Sequence, residues 1–268
     1  ITLCVNAAGT SLCPAVLLSQ ELTGLPLETK PGISFINKFG RMPFLLKVCS
    51  MQYKAVIFDM DGLLIDSEPL WTEAGVETLQ QYGKSLTQEQ YHSSTGLRTE
   101  EWIEHWFRHF EIDMAHAPAA IGIIIQKAIE KIDLHGQPLP GIDNIFRFFK
   151  TKDYRMGLAT SSPLSLVDVV VKKLGIENVF DTVASADSLP YGKPHPQVYL
   201  DCAAQLGCPA VQCIAFEDSF NGMIAAKAAR MKCVVVPAAA DFDHPKWNAA
   251  DLKLKSLAEF DEGKLSEL

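Results

Sequence analysis

Two aspartates stand two residues apart directly after a short apolar run, and their spacing can bring two carboxylates together at one site. The run Ala55–Phe58 is too short for a helix and rich in β-branched and aromatic residues, so it predicts a buried strand. Because side chains two apart in an extended chain share a side, Asp59 and Asp61 are expected to lie together, with Gly62 turning the chain away. Adjacent carboxylates repel, so the pair requires a bound cation or a shared proton. A merely acidic loop is the alternative.

Two further stretches offer groups that suit an anion. Thr160, Ser161 and Ser162 place hydroxyls and backbone amides at a predicted helix start, where anions bind. Ordinary N-capping by Ser162 is the competing interpretation. Lys193 is fixed between a glycine and a proline, so it is a candidate to hold a phosphate or to balance a carboxylate, although most lone lysines are solvated.

Glu217 and Asp218 add two more carboxylates after another predicted strand. Carboxylates of this kind suit Mg²⁺, which prefers oxygen ligands and commonly binds one or two carboxylates together with a substrate phosphate. The hydroxyls and Lys193 suit an anion. A site with both preferences is typical of phosphoryl transfer.

Alternating helices and strands position these residues. After residue 138 the pattern predicts helices 142–151, 163–174, 197–206 and 220–230, and strands 155–160, 182–186, 212–216 and 233–236. Such alternation implies right-handed crossovers and an α/β fold with a Rossmann-like parallel sheet, which the opening strand must join. Ligands of such sheets bind beyond the carboxyl ends of the strands, where all the polar residues above are found.

Residues 67–136 predict helices only. We therefore expect a small all-helical module inserted after the first strand, with 51–66 and 137–268 forming the sheet domain. Trp102, Trp106 and Phe110 fall at helical spacing, and they are expected to form the module's own core.

The composition of the chain limits the classes of partner that the protein is expected to bind. The chain of 268 residues has a formal net charge of −8 and no long basic run, which argues against nucleic acid and anionic membranes as partners. No apolar run reaches the length of a membrane span. The seven cysteines form no zinc spacing and fit a reducing, cytoplasmic compartment. Residues 1–50 lack sustained periodicity and are expected outside the fold, as sequence ahead of a start at Met51 rather than a leader or a truncated upstream domain.

Four motifs in order resemble those of the haloacid dehalogenase superfamily; they are DMDG at 59–62, LATSSP at 158–163, GKPHP at 192–196 and EDSFNG at 217–222. The resemblance implies a core domain with an inserted helical cap. It implies that Asp59 attacks phosphorus to form an aspartyl-phosphate, and that Asp61 protonates the leaving group and then activates water. Thr160 and the amides near Ser161 would hold the phosphoryl oxygens, and Lys193 would bridge Asp59 and the phosphate.

The same resemblance implies one Mg²⁺ per site. Its ligands would be the Asp59 carboxylate, the Asp61 main-chain carbonyl and Asp218, with Glu217 either a ligand or a neighbouring acceptor. Substrate contacts are expected from Met60, Ser161 and Asn221 and from the cap residues Thr95, Gly96 and Arg98.

A narrower resemblance is to sugar-phosphate phosphatases of the hexitol and 2-deoxyglucose-6-phosphate type, carried by 58–71, 94–98, 184–207 and 217–231. β-Phosphoglucomutases share this core and cap, but where they carry a cap histidine this chain has Trp71. This difference disfavours a mutase. The alternative interpretation of Trp71 is that it only packs in the core of the cap. We therefore expect a Mg²⁺-dependent phosphatase of small sugar or polyol phosphates that works as a monomer. A mutase-type phosphotransferase and a catalytically idle binding protein are the alternatives.

Overall fold

The computed structural model describes residues 53–94 and 97–268. The expectations for residues 1–50, and those for Thr95 and Gly96, therefore lie outside the described part of the chain. No helix among the described residues has the length and apolar character needed to cross a membrane.

A single parallel sheet forms the centre of the fold. Its strands are β1 (Ala55–Phe58), β2 (Arg155–Thr160), β3 (Thr182–Ser185), β4 (Cys213–Glu217), β5 (Lys232–Val235) and β6 (Leu252–Lys253). Their spatial order is β3-β2-β1-β4-β5-β6, and every pairing is parallel. The predicted α/β fold with a Rossmann-like sheet is confirmed. The pattern had not indicated β6, because a two-residue strand is too short to show a periodicity.

The helices are α1 (Glu68–Gln80), α2 (Gln88–Ser93), α3 (Thr99–His109), α4 (Ala117–His135), α5 (Ile142–Lys150), α6 (Leu164–Leu174), α7 (Gln197–Gln205), α8 (Phe220–Ala228) and α9 (Glu262–Glu267). Helices α1 to α4 follow β1 and precede α5, with no strand among their described residues. This arrangement is the one expected of an inserted helical cap, and the exact boundaries at 66/67 and 136/137 stay a prediction.

The sheet is buried on both faces. Val56 and Phe58 join one hydrophobic cluster, whereas Ala55 and Ile57 join another on the opposite face, as the two-residue period of a strand requires. Phe58 stacks on Phe216 with ring centroids 5.0 Å apart. Each buried aliphatic or aromatic side chain contributes roughly 1.5–3 kcal/mol, so the central strand is firmly fixed and holds the residues at its end in place.

The buried side chains of α3 belong to the same hydrophobic cluster as Val56 and Phe58 of β1, so the separate core expected for the helical module is not found among the described residues. Trp102 and Trp106 on α3 are buried, as their helical spacing predicts, whereas Phe110 follows the end of α3 and is only partly buried. Gly75 of α1 lies under Trp102, where an added Cβ would stand 2.9 Å from the indole ring. The cap helices can therefore pack closely, and Trp102 also reaches the inner wall of the pocket described below.

Candidate active site

The carboxyl ends of four strands bring the predicted polar residues to one pocket. Asp59 and Asp61 follow β1, Thr160 ends β2, Lys193 lies in the loop after β3, and Asp218 follows β4; all five line the same cavity. These groups therefore meet at the carboxyl edge of the sheet, where ligands of parallel sheets bind.

Lys193 is the central cation of the pocket. Its Nζ lies 2.7 Å from Asp59 Oδ1, 2.5 Å from Glu217 Oε1 and 3.1 Å from the Ala159 carbonyl, so each of its three N–H groups has an acceptor. Only 2% of the side chain is exposed, which excludes a solvated lysine. Burial by itself lowers the pKa of Lys193, but Asp59 and Glu217 outweigh that effect and hold its pKa above the usual value.

Glu217 is fully buried and is held by other protein groups. Its Oε1 accepts from Lys193 and from the Tyr199 hydroxyl at 2.5 Å, and its Oε2 accepts from the amide and hydroxyl of Ser219. A Cβ on Gly222 would stand 1.8 Å from Glu217 Oε1, so the carboxylate occupies space that only a glycine leaves free. Of the two predicted roles for Glu217, these contacts favour the neighbouring acceptor that balances Lys193 over the direct metal ligand.

The donor set of the pocket fits a hard cation. Carboxylate oxygens of Asp59, Glu217 and Asp218 lie within 4.8 Å of one another, and Lys193 alone cannot balance three negative charges. Burial raises the pKa of Asp59 to about 8; Lys193 acts against this rise, and Glu217 adds to it. Burial, with the nearby charge of Asp59, raises the pKa of Asp218 as well. A Mg²⁺ ion bound by Asp59 and Asp218 would relieve this surplus of negative charge.

Asp218 approaches the chain closely at Gly62. Gly62 has φ of +72°, and a Cβ there would stand 2.1 Å from Asp218 Oδ2. The glycine after the aspartate pair thus serves the turn, as the sequence indicated, and also leaves room for the second carboxylate.

Asp61 is surrounded by three hydrogen-bond donors. Its Oδ1 accepts from the Ser67 hydroxyl at 2.7 Å and from the Trp71 indole at 3.0 Å, and its Oδ2 accepts from the Ser162 hydroxyl at 2.7 Å. Ser162 does not cap α6, in contrast to the competing interpretation from the sequence, since the residue directly before that helix is Pro163. Trp71 likewise contacts the site and is not plain cap core.

The residues at the end of β2 provide the groups of the pocket that suit an anion. Thr160 is buried, and its Oγ1 accepts from the Ser162 amide at 3.0 Å, which shapes the turn before α6. The Ser161 hydroxyl lines the pocket and has no hydrogen-bond partner among the described residues. A buried hydroxyl in that condition costs free energy until a ligand oxygen meets it, so its position fits an oxyanion.

The cap forms the wall opposite the carboxylates. Glu68, Tyr91, Ser94, Leu97 and Trp102 line it, with Trp71, Thr99 and Ile124. Burial raises the pKa of Glu68 to about 7, and the charges of Asp61 and Asp66 add to this rise. Sequence reasoning did not single out Glu68, Tyr91 or Ser94, because nothing in their periodicity separates a pocket wall from a helix interior.

Three predicted substrate contacts lie elsewhere than expected. The Met60 side chain is fully buried in the hydrophobic core, so only its main chain can face a ligand. Asn221 lies in the first turn of α8 and is not part of the pocket lining. Arg98 is 7% exposed and binds main-chain carbonyls of the core instead of facing the pocket, because three of these acceptors lie within its reach.

Comparison with known proteins agrees with this site. The family model described as haloacid dehalogenase-like hydrolase matches residues 56–236. Hexitol phosphatase B of Escherichia coli strain K12 is 42% identical over 209 residues, covering 78% of this chain and 94% of that protein. A phosphorylated carbohydrates phosphatase of Thermotoga maritima is 32% identical over 176 residues, covering 66% and 81%.

The fold has solved counterparts. A crystal structure of β-phosphoglucomutase from Clostridium difficile superposes with a TM-score of 0.72 at 22% identity, over 81% of this chain and 96% of that chain, and this likeness concerns the fold alone. The relatives named as phosphatases confirm the expectation of an enzyme of the phosphatase type. With its four motifs gathered at one edge of the sheet and a family model spanning 56–236, the chain belongs to the haloacid dehalogenase-like hydrolases.

Proposed function

We propose that this protein is a Mg²⁺-dependent phosphomonoester hydrolase of small sugar or sugar-alcohol phosphates and that it works through an aspartyl-phosphate. The observation that carries the proposal is the juxtaposition of Asp59 with Lys193, Asp218 and the unpartnered Ser161 hydroxyl in one pocket. This set offers a nucleophile, a place for a cation and a place for a phosphoryl group. The relatives named for hexitol and carbohydrate phosphates support the substrate class.

In the first step the Asp59 carboxylate oxygen forms a bond to phosphorus while the bond from phosphorus to the sugar oxygen breaks. Asp61 gives its proton to the departing oxygen, so that the alcohol leaves neutral. Thr160 and Ser161 bind the phosphoryl oxygens, and the nearby ammonium group of Lys193 offsets their negative charge. Asp59, Asp218 and the Asp61 carbonyl would hold Mg²⁺, which would supply neutralisation of the negative charge on the carboxylate and the phosphate.

In the second step Asp61 removes a proton from water. The water oxygen bonds to phosphorus, and the bond from Asp59 to phosphorus breaks, which releases phosphate and restores Asp59. The donors around Asp61 assign its proton to one oxygen. The Trp71 indole can only donate to Oδ1, whereas the Ser162 hydroxyl can rotate and accept a hydrogen bond from a protonated Oδ2.

The same property argues against a mutase. An indole N–H orients Asp61 but cannot accept a proton from a sugar hydroxyl. A binding protein without activity is also disfavoured, because the side chains that we assign to the reaction all line one pocket.

The test is hydrolysis of p-nitrophenyl phosphate with Mg²⁺ and with chelator, for wild type and Asp59→Asn. Because the variant lacks the nucleophile, we expect at least a 10³-fold loss of kcat, on the order of 4 kcal/mol in barrier. Asp66→Asn is the matched control, since Asp66 is an exposed aspartate in the same segment between β1 and α1. Wild type without Mg²⁺-dependent activity above Asp59→Asn would refute the proposal.

Hexitol, hexose and glycolate phosphates, compared by kcat/KM, then define the substrate. Conversion of β-glucose 1-phosphate to the 6-phosphate in the presence of a bisphosphate would instead establish a mutase.

A further inference from the structure

The start of α3 in the cap is bound to the loop that carries Lys193. Arg98, the residue before α3, extends its guanidinium group into the core loop between β3 and α7. Its Nη1 donates to the Ala186 carbonyl at 3.1 Å and to the Leu189 carbonyl at 2.5 Å, and its Nη2 lies 3.4 Å from the Pro190 carbonyl. One cap side chain therefore contacts three peptide groups of a core loop.

Glu101 completes this contact one turn further along α3. Its Oε1 accepts from Arg98 Nη2 at 2.9 Å and from the main-chain N–H of Gly192 at 3.0 Å. Gly192 is the residue directly before Lys193, whose ammonium group binds Asp59. The cap is thus joined by hydrogen bonds to the peptide from which the central cation of the site projects.

Gly192 supplies a second, independent observation. A Cβ at Gly192 would stand 2.7 Å from Arg98 Cγ and 2.8 Å from Glu101 Oε2. Its backbone φ is not in the left-handed region, so its own conformation does not require a glycine. The missing side chain is therefore explained by the close approach of the two cap residues.

A direct substrate contact does not account for this geometry. Arg98 is not part of the pocket lining, and both of its terminal nitrogens are bound to the loop or to Glu101. A surface ion pair does not account for it either, because only 8% of the Arg98 side chain is exposed. Guanidinium groups bound this way hold a rigid geometry that a lysine cannot reproduce.

We propose that Arg98 and Glu101 form a latch that holds the cap against the Ala186–Gly192 loop and thereby positions Lys193 for the reaction. Both are positioning residues, since they act on the site through the loop and not on the substrate. The catalytic consequence rests on the function proposed above, whereas the latch itself does not.

Two measurements test the latch on the full chain. The first is hydrogen exchange of the amides in 187–192 without substrate, which requires no activity. The second is the separate measurement of kcat and KM. The variants are Arg98→Met, which keeps the aliphatic stem, Arg98→Lys and Glu101→Gln. The matched control is Arg108→Met, because Arg108 pairs with Glu104 at 3.3 Å on the exposed face of the same helix.

We expect Arg98→Met to raise exchange in 187–192 at least tenfold and to lower kcat at least tenfold, with KM changed less than threefold. Arg98→Lys should recover part of both effects, Glu101→Gln should fall between wild type and Arg98→Met, and Arg108→Met should match wild type. If Arg98→Met does not fold, Glu101→Gln decides the matter by the same two measurements.

Several outcomes would overturn the latch. A raised KM with unchanged exchange would make Arg98 a substrate ligand, and unchanged exchange with unchanged kcat would leave no latch. A lowered melting temperature with normal kcat below it would make the contact purely structural. If wild type shows no phosphatase activity, the proposed function fails while the exchange measurement still confirms or rejects the latch.

Discussion

At the scale of single residues, the donors around Asp61 suit the two proton transfers that we propose for this carboxylate. Ser67 and Ser162 have hydroxyls that can donate or accept, whereas the Trp71 indole can only donate. The two hydroxyls can therefore follow the protonation state of Asp61 while the indole keeps its orientation fixed. Trp71 belongs to the cap and Ser162 to the sheet domain, so Asp61 is held by donors from both.

Trp71→Phe tests this orientation. The variant keeps the aromatic surface and loses the N–H donor, so we expect kcat to fall about tenfold, because one hydrogen bond contributes about 1–1.5 kcal/mol. The measurement is kcat over a range of pH, with KM recorded beside it. Trp102→Phe is the control, since Trp102 lines the same wall without bonding to Asp61. An equal loss of kcat in both variants would mean that the indole N–H has no special role.

The residues that the sequence identified share one property. Asp59, Lys193 and Asp218 follow strand ends, and topology alone brings such positions together. Glu68 and Tyr91 lie on helices, where a pocket-facing residue has the same spacing as a core residue. Arg98 shows a further limit, because its direction depends on a loop almost ninety positions later in the chain.

At the scale of elements, the pattern of apolar residues predicted the five longer strands and the helices between them within about two residues. The edge strand β6 depends on contacts instead. Asp251, directly before β6, accepts from the Cys233 amide at 2.8 Å, from Lys232 at 2.9 Å and from Lys227 at 2.5 Å. A single charged residue thus fixes the edge strand against β5.

Asp251→Asn tests how β6 is held. Partial burial by itself raises the pKa of Asp251, but the hydrogen bonds from Lys227, Cys233 and Lys232 hold its pKa below the usual value. A lowered pKa in the folded state means that the stabilisation is present above the unfolded value near 4 and is lost as pH falls through the folded pKa. At pH 7 we expect the variant to lose about 1–2 kcal/mol of unfolding free energy.

Urea unfolding at pH 7 and at pH 3 measures the effect, and the difference between variant and wild type should shrink at the lower pH. The exposed Asp243→Asn serves as the control. A difference that is equal at both pH values would show that the charge of Asp251 is not what holds β6.

At the scale of the whole molecule, charge is the main constraint on function. The formal net charge is −8, so an anionic substrate has to find its positive charge within the pocket. There Lys193 already faces Asp59 and Glu217, and Asp218 stands beside them. The three carboxylates repel one another, and a divalent cation bound between them would replace that repulsion with attraction.

This surplus of negative charge predicts that Mg²⁺ reverses the effect of Asp218→Asn on stability. If Mg²⁺ binds the folded site, 100 times its Kd should stabilise wild type by about 2.7 kcal/mol, which corresponds to a rise in melting temperature of roughly 5–10 °C. Asp218→Asn removes one of the crowded carboxylates. We therefore expect it to melt no lower than wild type in chelator, because the raised pKa of Asp218 marks a charge that the fold does not favour.

The same variant should lose most of the response to Mg²⁺, since one of the two proposed side-chain ligands is gone. Thermal melts with chelator, with Mg²⁺ and with NaCl at matched ionic strength separate ion binding from general screening. A Mg²⁺ response in Asp218→Asn as large as in wild type would place the cation elsewhere. A variant that melts well below wild type in chelator would show instead that the Asp218 carboxylate stabilises the fold even without a metal.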